Sequence, residues 1–308
     1  LKIHHEIEPP ATDRPLVLAI GFFDGLHRGH REIVRTLLRL RRPGYRAAVL
    51  TFRNHPATHL RPASVPPLIA TLEERVNLLA STGIDELFLV PFDDRIALTN
   101  ARVFLRESLL SVLGVRALVI GENFRFGHGR EGDAALARAV LGERGLAVEA
   151  VPPVLDRDER ISSTRIRAAI SSGDVATADR LLGGSFALRG RVALGAGRGH
   201  DLGFPTANLV LPPEKTLPAD GVYACVGRYE GRDYNGLVSI GTNPTFAGVN
   251  RTVEAWLLDF RQTIYGEELS LRDLRFIRAQ RRFDDVPALL EQMRADAAHA
   301  KFPSFSAS

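Results

Sequence analysis

Cysteine is almost absent: the 308 residues contain one, Cys225. A lone thiol excludes a disulfide within the chain and any metal cluster built on cysteines, and among strand-like residues it reads as packing rather than catalysis. Lysine is nearly as scarce. Lys2, Lys215 and Lys301 are the only three among 40 basic residues, so the formal charge of +4 and the pI near 9.6 rest on arginine. The arginines are spread along the chain and no basic block stands apart, which argues against nucleic acid as a partner and lends weak support to phosphate ligands. Long apolar runs are missing too: stretches such as 87–91 and 117–120 fall far short of the ~18 residues of a membrane span, so no membrane is expected. No charged, then apolar, then small-residue signal opens the sequence, and the expected setting is the cytoplasm. Length and an apolar content of 45% leave room for two domains, each with its own core.

What is present is organised around the stretch 16–30. Leu16, Val17, Leu18, Ala19 and Ile20 form a short apolar run after Pro15, the pattern of a strand buried on both faces. Gly21 and Gly25 permit a tight turn. From about Gly29, Ile33, Leu37 and Leu38 set between Arg31, Glu32, Arg35 and Arg39 predict an amphipathic helix. His27 and His30 fall at its N-terminus, where unpaired N–H groups and a partial positive charge favour a phosphate. One histidine near a helix start is usually a cap or a surface residue; two of them, three apart behind a strand and a G-x-F-D-G turn, favour phosphate handling. The H-x-G-H spacing resembles the nucleotidyltransferase superfamily, and 21–30 as a whole resembles the bacterial FAD synthetases. That resemblance implies that Gly21, Phe23, Asp24 and Gly25 shape a nucleotide site. It also implies that His27 and His30 contact the nucleotide phosphates and stabilise charge building at the α-phosphorus.

Strand-like runs follow at 47–52, 87–92, 117–120 and 146–151, with helical patterns at 72–80, 101–113 and 133–141 between them. The alternation predicts a parallel sheet covered on both faces, with ligands at the carboxyl ends of its strands. After the second strand, Thr51-Phe52-Arg53-Asn54-His55-Pro56 reads equally as a polar loop stopped by proline or as part of a site. The FAD synthetase pattern has Asp-Pro where Arg53 and Asn54 stand. After the fourth, Gly121-Glu122-Asn123-Phe124-Arg125-Phe126-Gly127 offers two aromatic faces for a flat ring and a cation for an anion, or packs as a small hydrophobic cluster. Its match to the family's flavin-side loop favours the ligand, and implies flavin contacts from Asn123, Phe124, Arg125 and Phe126. Farther on, Ser162 or Ser163 caps a helix running through Ile170. Arg165 and Arg167 near its start oppose the helix dipole unless an anion offsets them. The run 161–167 matches the family's second phosphate motif, which implies roles for Ser163, Thr164 and Arg165. A K-M-S-K-S-like loop is absent, which counts against a tRNA-charging enzyme.

Gly173-Asp174 and then Leu181-Leu182-Gly183-Gly184 end a short helical hairpin and mark the expected domain boundary, between 183 and 184. Beyond it, short runs rich in Val, Tyr and Leu at 186–194, 221–227, 234–241, 253–260 and 269–277 alternate with Gly, Pro, Asn and Asp turns. They predict an antiparallel barrel or sandwich closed by a helix at 286–299. Gly195, Gly197 and Gly199 lie in a loop of the kind that brings backbone N–H groups to phosphates, although most such turns bind nothing and no G-K-S/T follows to make a Walker loop. Thr206 and Asn208, two apart on a strand, face one side and can hold Mg²⁺ and a phosphate, the ion's other ligands coming from ATP and water. Glu254, an acid in an otherwise apolar run, is either an outward-facing residue or a placed base. With P-T-A-N at 205–208 and G-T-N-P-T-F at 241–246, the segment resembles riboflavin kinase, which implies that Glu254 accepts the proton of the ribityl 5′-hydroxyl. Trp256, Asp273 and Gln280 depart from that family's pattern.

Over the whole chain the resemblance implies an α/β Rossmann-like nucleotidyltransferase domain, 1–183, followed by a mainly antiparallel β-barrel riboflavin kinase domain with a C-terminal helix, 184–308. It implies two reactions. ATP, with Mg²⁺ as cofactor, phosphorylates riboflavin to FMN, and a second ATP gives its AMP part to FMN, forming FAD and pyrophosphate. The partners are then riboflavin, FMN and ATP, with a homo-oligomer left open. Arg53, Asn54, Trp256, Asp273 and Gln280 keep a second reading in play: a paralogue acting on a modified flavin or another nucleotide, or one with a single active domain. The basic pI keeps a third, a flavin- or nucleic-acid-binding protein without catalysis, against which His27, His30, Ser163, Thr164 and Arg165 together argue.

Overall fold

In the computed structural model of the chain, residues 1–9, 11–194, 206–245 and 248–300 are described, those at 243–245 and 248–250 by their backbone alone. They divide into two compact units, Leu1–Ser163 and Thr164–Ser308. The first unit is built on β1 (Lys2–His4), β2 (Leu16–Ile20), β3 (Arg46–Phe52), β4 (Glu86–Val90), β5 (Val115–Gly121) and β6 (Ala147–Val151), in the order β1-β4-β3-β2-β5-β6. Every neighbouring pair is parallel. All of β2 is buried because its alternating side chains serve two cores. Leu16, Leu18 and Ile20 join Leu50, Leu105, Leu118 and Val140 on one face, while Val17 and Ala19 join Leu37, Val49, Leu79 and Val119 on the other. Helices α1 (Arg28–Leu40) and Leu72–Ala80 supply the second group, and the helical stretches 101–112 and Ala134–Gly142 the first.

The four strands expected after β2 lie within two residues of their expected bounds. Strand β1 was not expected, because Lys-Ile-His carries no apolar pattern. It is held by pairing with β4 and by a buried charge cluster: Arg46 Nη1 donates to both Glu86 oxygens at 2.8 and 2.7 Å, and His4 Nε2 lies 3.1 Å from the same carboxylate. β2 sits between β3 and β5, and the later strands run outward on both sides of it. Such a reversal leaves a crevice at the carboxyl ends. Beyond β6 a small hairpin, β7 (Leu155–Asp156) and β8 (Glu159–Arg160), turns through Arg157 and Asp158 at φ of 53° and 64°, the left-handed pair that a tight two-residue hairpin needs.

The second unit opens with most of the helix Ser163–Ser171 and with Val175–Leu182, then forms a barrel. Its strands are β9 (Leu188–Ala193), β10 (Ala207–Val210), β11 (Gly221–Tyr229), β12 (Arg232–Thr245), β13 (Gly248–Leu257) and β14 (Glu268–Arg278), closed in the order β10-β13-β12-β11-β14-β9. All pairs are antiparallel, and the pairing of β9 with β10 makes the sheet a barrel rather than a sandwich. The closing helix Val286–His299 has the expected bounds. Ala297 and the following Ala300 pack against Val222, Ala224 and Leu237, which gives β11 a second covered face. Cys225 is buried in that strand, and burial alone pushes its thiol pKa far up, so it packs as an apolar residue.

Candidate active sites

Each unit holds a pocket of about 310 Å³, at the small end of the range for ligand sites. In the first unit the pocket lies where the sheet's reversal places it, against Ile20 and Gly21 at the end of β2, Gly121 at the end of β5 and Val151 at the end of β6. The turn after β2 is a set of left-handed residues: Phe23 at φ 56°, Gly25 at 72° and Leu26 at 41°. Asp24, 1% exposed, anchors it by accepting from the backbone N–H groups of Ile69 at 3.1 Å and Ala70 at 3.0 Å. That leaves the Asp24 carboxylate committed to the scaffold. Arg75, buried on the helix Leu72–Ala80, ties the neighbouring strand ends together by donating to the carbonyls of Phe22 at 3.0 Å, Phe52 at 2.7 Å and Arg53 at 3.1 Å. Burial pulls its pKa down to about 10.

The turn delivers His27 to the N-cap of α1, where its Nδ1 accepts from the His30 N–H at 3.2 Å. An accepting Nδ1 leaves the ring proton on Nε2. The two imidazoles stack, centroids 3.6 Å apart and planes 16° apart. Gly29 makes room for this, because a Cβ there would lie 3.1 Å from His27 Cε1 and 3.2 Å from its Nδ1. His30 is held well below its usual pKa by burial first, then by His27 and Arg160, so it is neutral near pH 7. Ser163 lines the same pocket and donates its hydroxyl to the Asp24 carbonyl at 3.3 Å. Thr164 is exposed and Arg165 half-buried in the first turn of the helix that Ser163 opens.

Of the aromatic loop, Asn123, Phe124 and Arg125 line the pocket. Phe126 does not: it bridges to Gly132 and stacks behind Phe124 at 5.9 Å, bracing the wall. Arg130 and Arg160 also line the site, with Glu122 the only acid among the lining residues, so the wall is electropositive. Neither arginine was singled out from the sequence. Arg160 stands directly before the Ile-Ser-Ser run, a signal that was available.

The barrel pocket lies between the strands and the closing helix, and includes Thr206, Ser239, Glu254, Trp256, Gln280 and Met293. Glu254 lines this pocket on the face of β13 that carries Trp256 and looks toward the closing helix, while its neighbours Val253 and Ala255 are buried on the other face. It is the register partner of Asn208 on β10 and of Ser239 on β12. Thr206 lines the pocket beside it, whereas Asn208 is not among the lining residues. Arg278 at the end of β14 donates to both oxygens of Asp296, at distances of 2.7 to 3.1 Å, and so fixes the helix wall. Among the described residues no three or more His, Cys, Asp or Glu side chains converge as a metal site. Gly195, Gly197, Gly199, Pro205 and Phe246 lie outside the described residues.

Comparison with known proteins agrees with this division. The FAD synthetase family model matches residues 10–165 and the riboflavin kinase model residues 182–302. A bifunctional riboflavin kinase/FMN adenylyltransferase of Escherichia coli strain K12 is 36% identical over 94% of this chain and 93% of its own. The chain belongs to this family. The Bacillus subtilis strain 168 member is 33% identical over 96% of this chain and 94% of its own. A crystal structure described as a macrolide-efflux protein from Streptococcus pneumoniae shares the fold, with TM-score 0.89 and 34% identity over 98% of this chain and 99% of that one. No helix among the described residues here is long and apolar enough to cross a membrane.

The positions that depart from the FAD synthetase and riboflavin kinase patterns fall in two groups. Arg53, Asn54 and Asp273 are not among the pocket-lining residues. Asn54 spans two loops, its Oδ1 accepting from Phe92 N at 2.9 Å and its Nδ2 donating to Phe92 O at 3.0 Å, and Arg53 reaches His5. Asp273, at φ 55°, accepts from Ser185 and pairs with Arg272. Trp256 and Gln280 line the barrel pocket.

Proposed function

We propose that the chain is a bifunctional flavin-cofactor enzyme, phosphorylating riboflavin with ATP in the barrel unit and transferring the AMP of a second ATP to FMN in the α/β unit. The observation carrying the second step is the stacked His27–His30 pair opening on one electropositive pocket with Ser163. FMN's phosphate oxygen attacks the α-phosphorus, that O–P bond forms, the α–β bridge breaks and pyrophosphate leaves. His27 Nε2–H and the neutral His30 act as donors to the charge that builds there, with Ser163, Thr164 and Arg165 and the backbone of Gly21, Phe23, Asp24 and Gly25 around the nucleotide. Asn123, Phe124 and Arg125 take the flavin side, braced from behind by Phe126. Neither step needs a protein nucleophile, only position and donors.

In the barrel, Glu254 takes the proton of riboflavin's 5′-hydroxyl as its oxygen bonds to the γ-phosphorus, and ADP departs. Neutral oxygens beside a single carboxylate suit Mg²⁺, which keeps waters and draws its remaining ligands from substrate phosphates. Thr206 and Asn208 would hold it, and the ion would supply charge neutralisation on the phosphates. Gly195, Gly197 and Gly199 are assigned to the nucleotide from the sequence motif alone. Along the sequence the adenylyltransferase segment is assigned to 1–183 and the kinase segment to 184–308, and the setting is cytoplasmic, where ATP is abundant. Flavin and nucleotide choice then rests with Trp256. His30→Ala lowers FAD formation about 10²–10³-fold and spares FMN formation. Glu254→Ala does the reverse when the two products are separated chromatographically. If each variant lost both activities together, the two-site assignment would fail.

A further inference from the structure

We infer that Ser239 and Gln280 are positioning residues for Glu254, a role that rests on reading Glu254 as the kinase base. Ser239 on β12 and Glu254 on β13 are direct cross-strand partners, so their side chains leave the sheet on one face with Cβ atoms about 5 Å apart. Both line the pocket. Gln280, two residues past β14, returns over β12: its amide nitrogen donates to Ser239 Oγ at 2.7 Å and to the Ile240 carbonyl at 3.1 Å. Gly241 keeps that space open, since a Cβ there would stand 3.0 Å from the same nitrogen.

The donor inventory sets where the next proton goes. Both Nε2 protons of Gln280 are committed, and Ser239 Oγ, already an acceptor, has one proton left to give. The Glu254 carboxylate lies directly across the strand pair. In the inferred arrangement Ser239 gives that proton to one carboxylate oxygen of Glu254 and leaves the other to receive the substrate's proton. The role requires an amide at 280: a carboxylate would bring no N–H to the Ile240 carbonyl and would add a second negative charge in front of Glu254.

The test is steady-state riboflavin phosphorylation, with adenylyl transfer to FMN in the same preparations reporting that the chain has folded. Ser239→Ala is expected to lower kcat about ten-fold, the size of one lost hydrogen bond to a charged group, with KM for riboflavin and ATP nearly unchanged. Ser239→Thr, which keeps the hydroxyl, restores it. Gln280→Ala matches Ser239→Ala, the double variant is no slower than Ser239→Ala alone, and Gln280→Glu is slower than Gln280→Ala. Additive losses, losses carried by KM, or full activity in Ser239→Ala beside an inactive Glu254→Ala overturn the inference while leaving the base in place. A fully active Glu254→Ala overturns the base assignment and this inference with it.

Discussion

The pocket of the first unit is walled largely by backbone turns at the ends of parallel strands, whereas the barrel pocket is walled by side chains standing in register on antiparallel ones. In the first, the chemistry depends on left-handed φ at Phe23, Gly25 and Leu26 and on the missing Cβ of Gly29. In the second it depends on which residues stand across from one another: Ser239 and Asn208 flank Glu254 because β12, β13 and β10 pair in one register, and a slip of β13 by one residue would turn Glu254 to the other face of the sheet. The first site is therefore sensitive to backbone strain and the second to side-chain truncation.

Asp24→Ala should break this comparison most severely. It strips the acceptor from two buried N–H groups, and each hydrogen bond to a buried carboxylate contributes about 1.5–3 kcal/mol. Denaturant titration should show the first unit losing about 2–4 kcal/mol, and adenylyl transfer should fall below detection while FMN formation persists. Next in size, Gly29→Ala should cost adenylyl transfer about ten-fold without altering stability much, because the added methyl pushes on the His27 ring rather than on backbone. An unchanged rate would mean that the close stacking of the two rings has no part in catalysis.

The smallest effect is a pair of opposite pH trends. His30 is depressed below its usual 6.5, so the unfolded chain takes up a proton that the native pocket refuses, and its contribution to stability is full above about 6.5 and is lost progressively as pH falls below it. Asp179, at the entry to the barrel, is raised from 3.8 to about 6, by burial first and by Asp273 last, against a hydrogen bond from Phe186 N–H that lowers it. Its protonated form favours the native state, so its contribution is present at acid pH and is lost as pH rises through about 6. Thermal melts between pH 4 and 8 should show His30→Asn flattening the acid loss and Asp179→Asn flattening the loss toward neutral pH. Asp179→Asn should do so while still accepting from the Phe186 N–H. The reverse signs would show that these groups do not set the trends.

Much of this protein was legible in its chain because local patterns sufficed. The apolar run of β2, the glycines after it, the spacing of α1 and the alternation of strands and helices each follow from short-range periodicity, and they placed His27, His30 and Glu254 on the correct elements. What resisted was everything decided at a distance. β1 carries no pattern of its own and exists because β4 and the His4–Glu86–Arg46 cluster receive it. Asp24 looked like a ligand contact, and only the fold shows its carboxylate given to the N–H groups of Ile69 and Ala70. Phe126 stacks behind Phe124 and Asn54 ties two loops together, contacts that no local pattern shows. Arg75, Arg130 and Ser239 gave no local sign strong enough to single them out. Periodicity determines which face of an element is apolar, because that depends on neighbours a few bonds away. Which polar atoms meet depends on contacts between residues tens to hundreds apart, and those are settled only when the sheet and the barrel close.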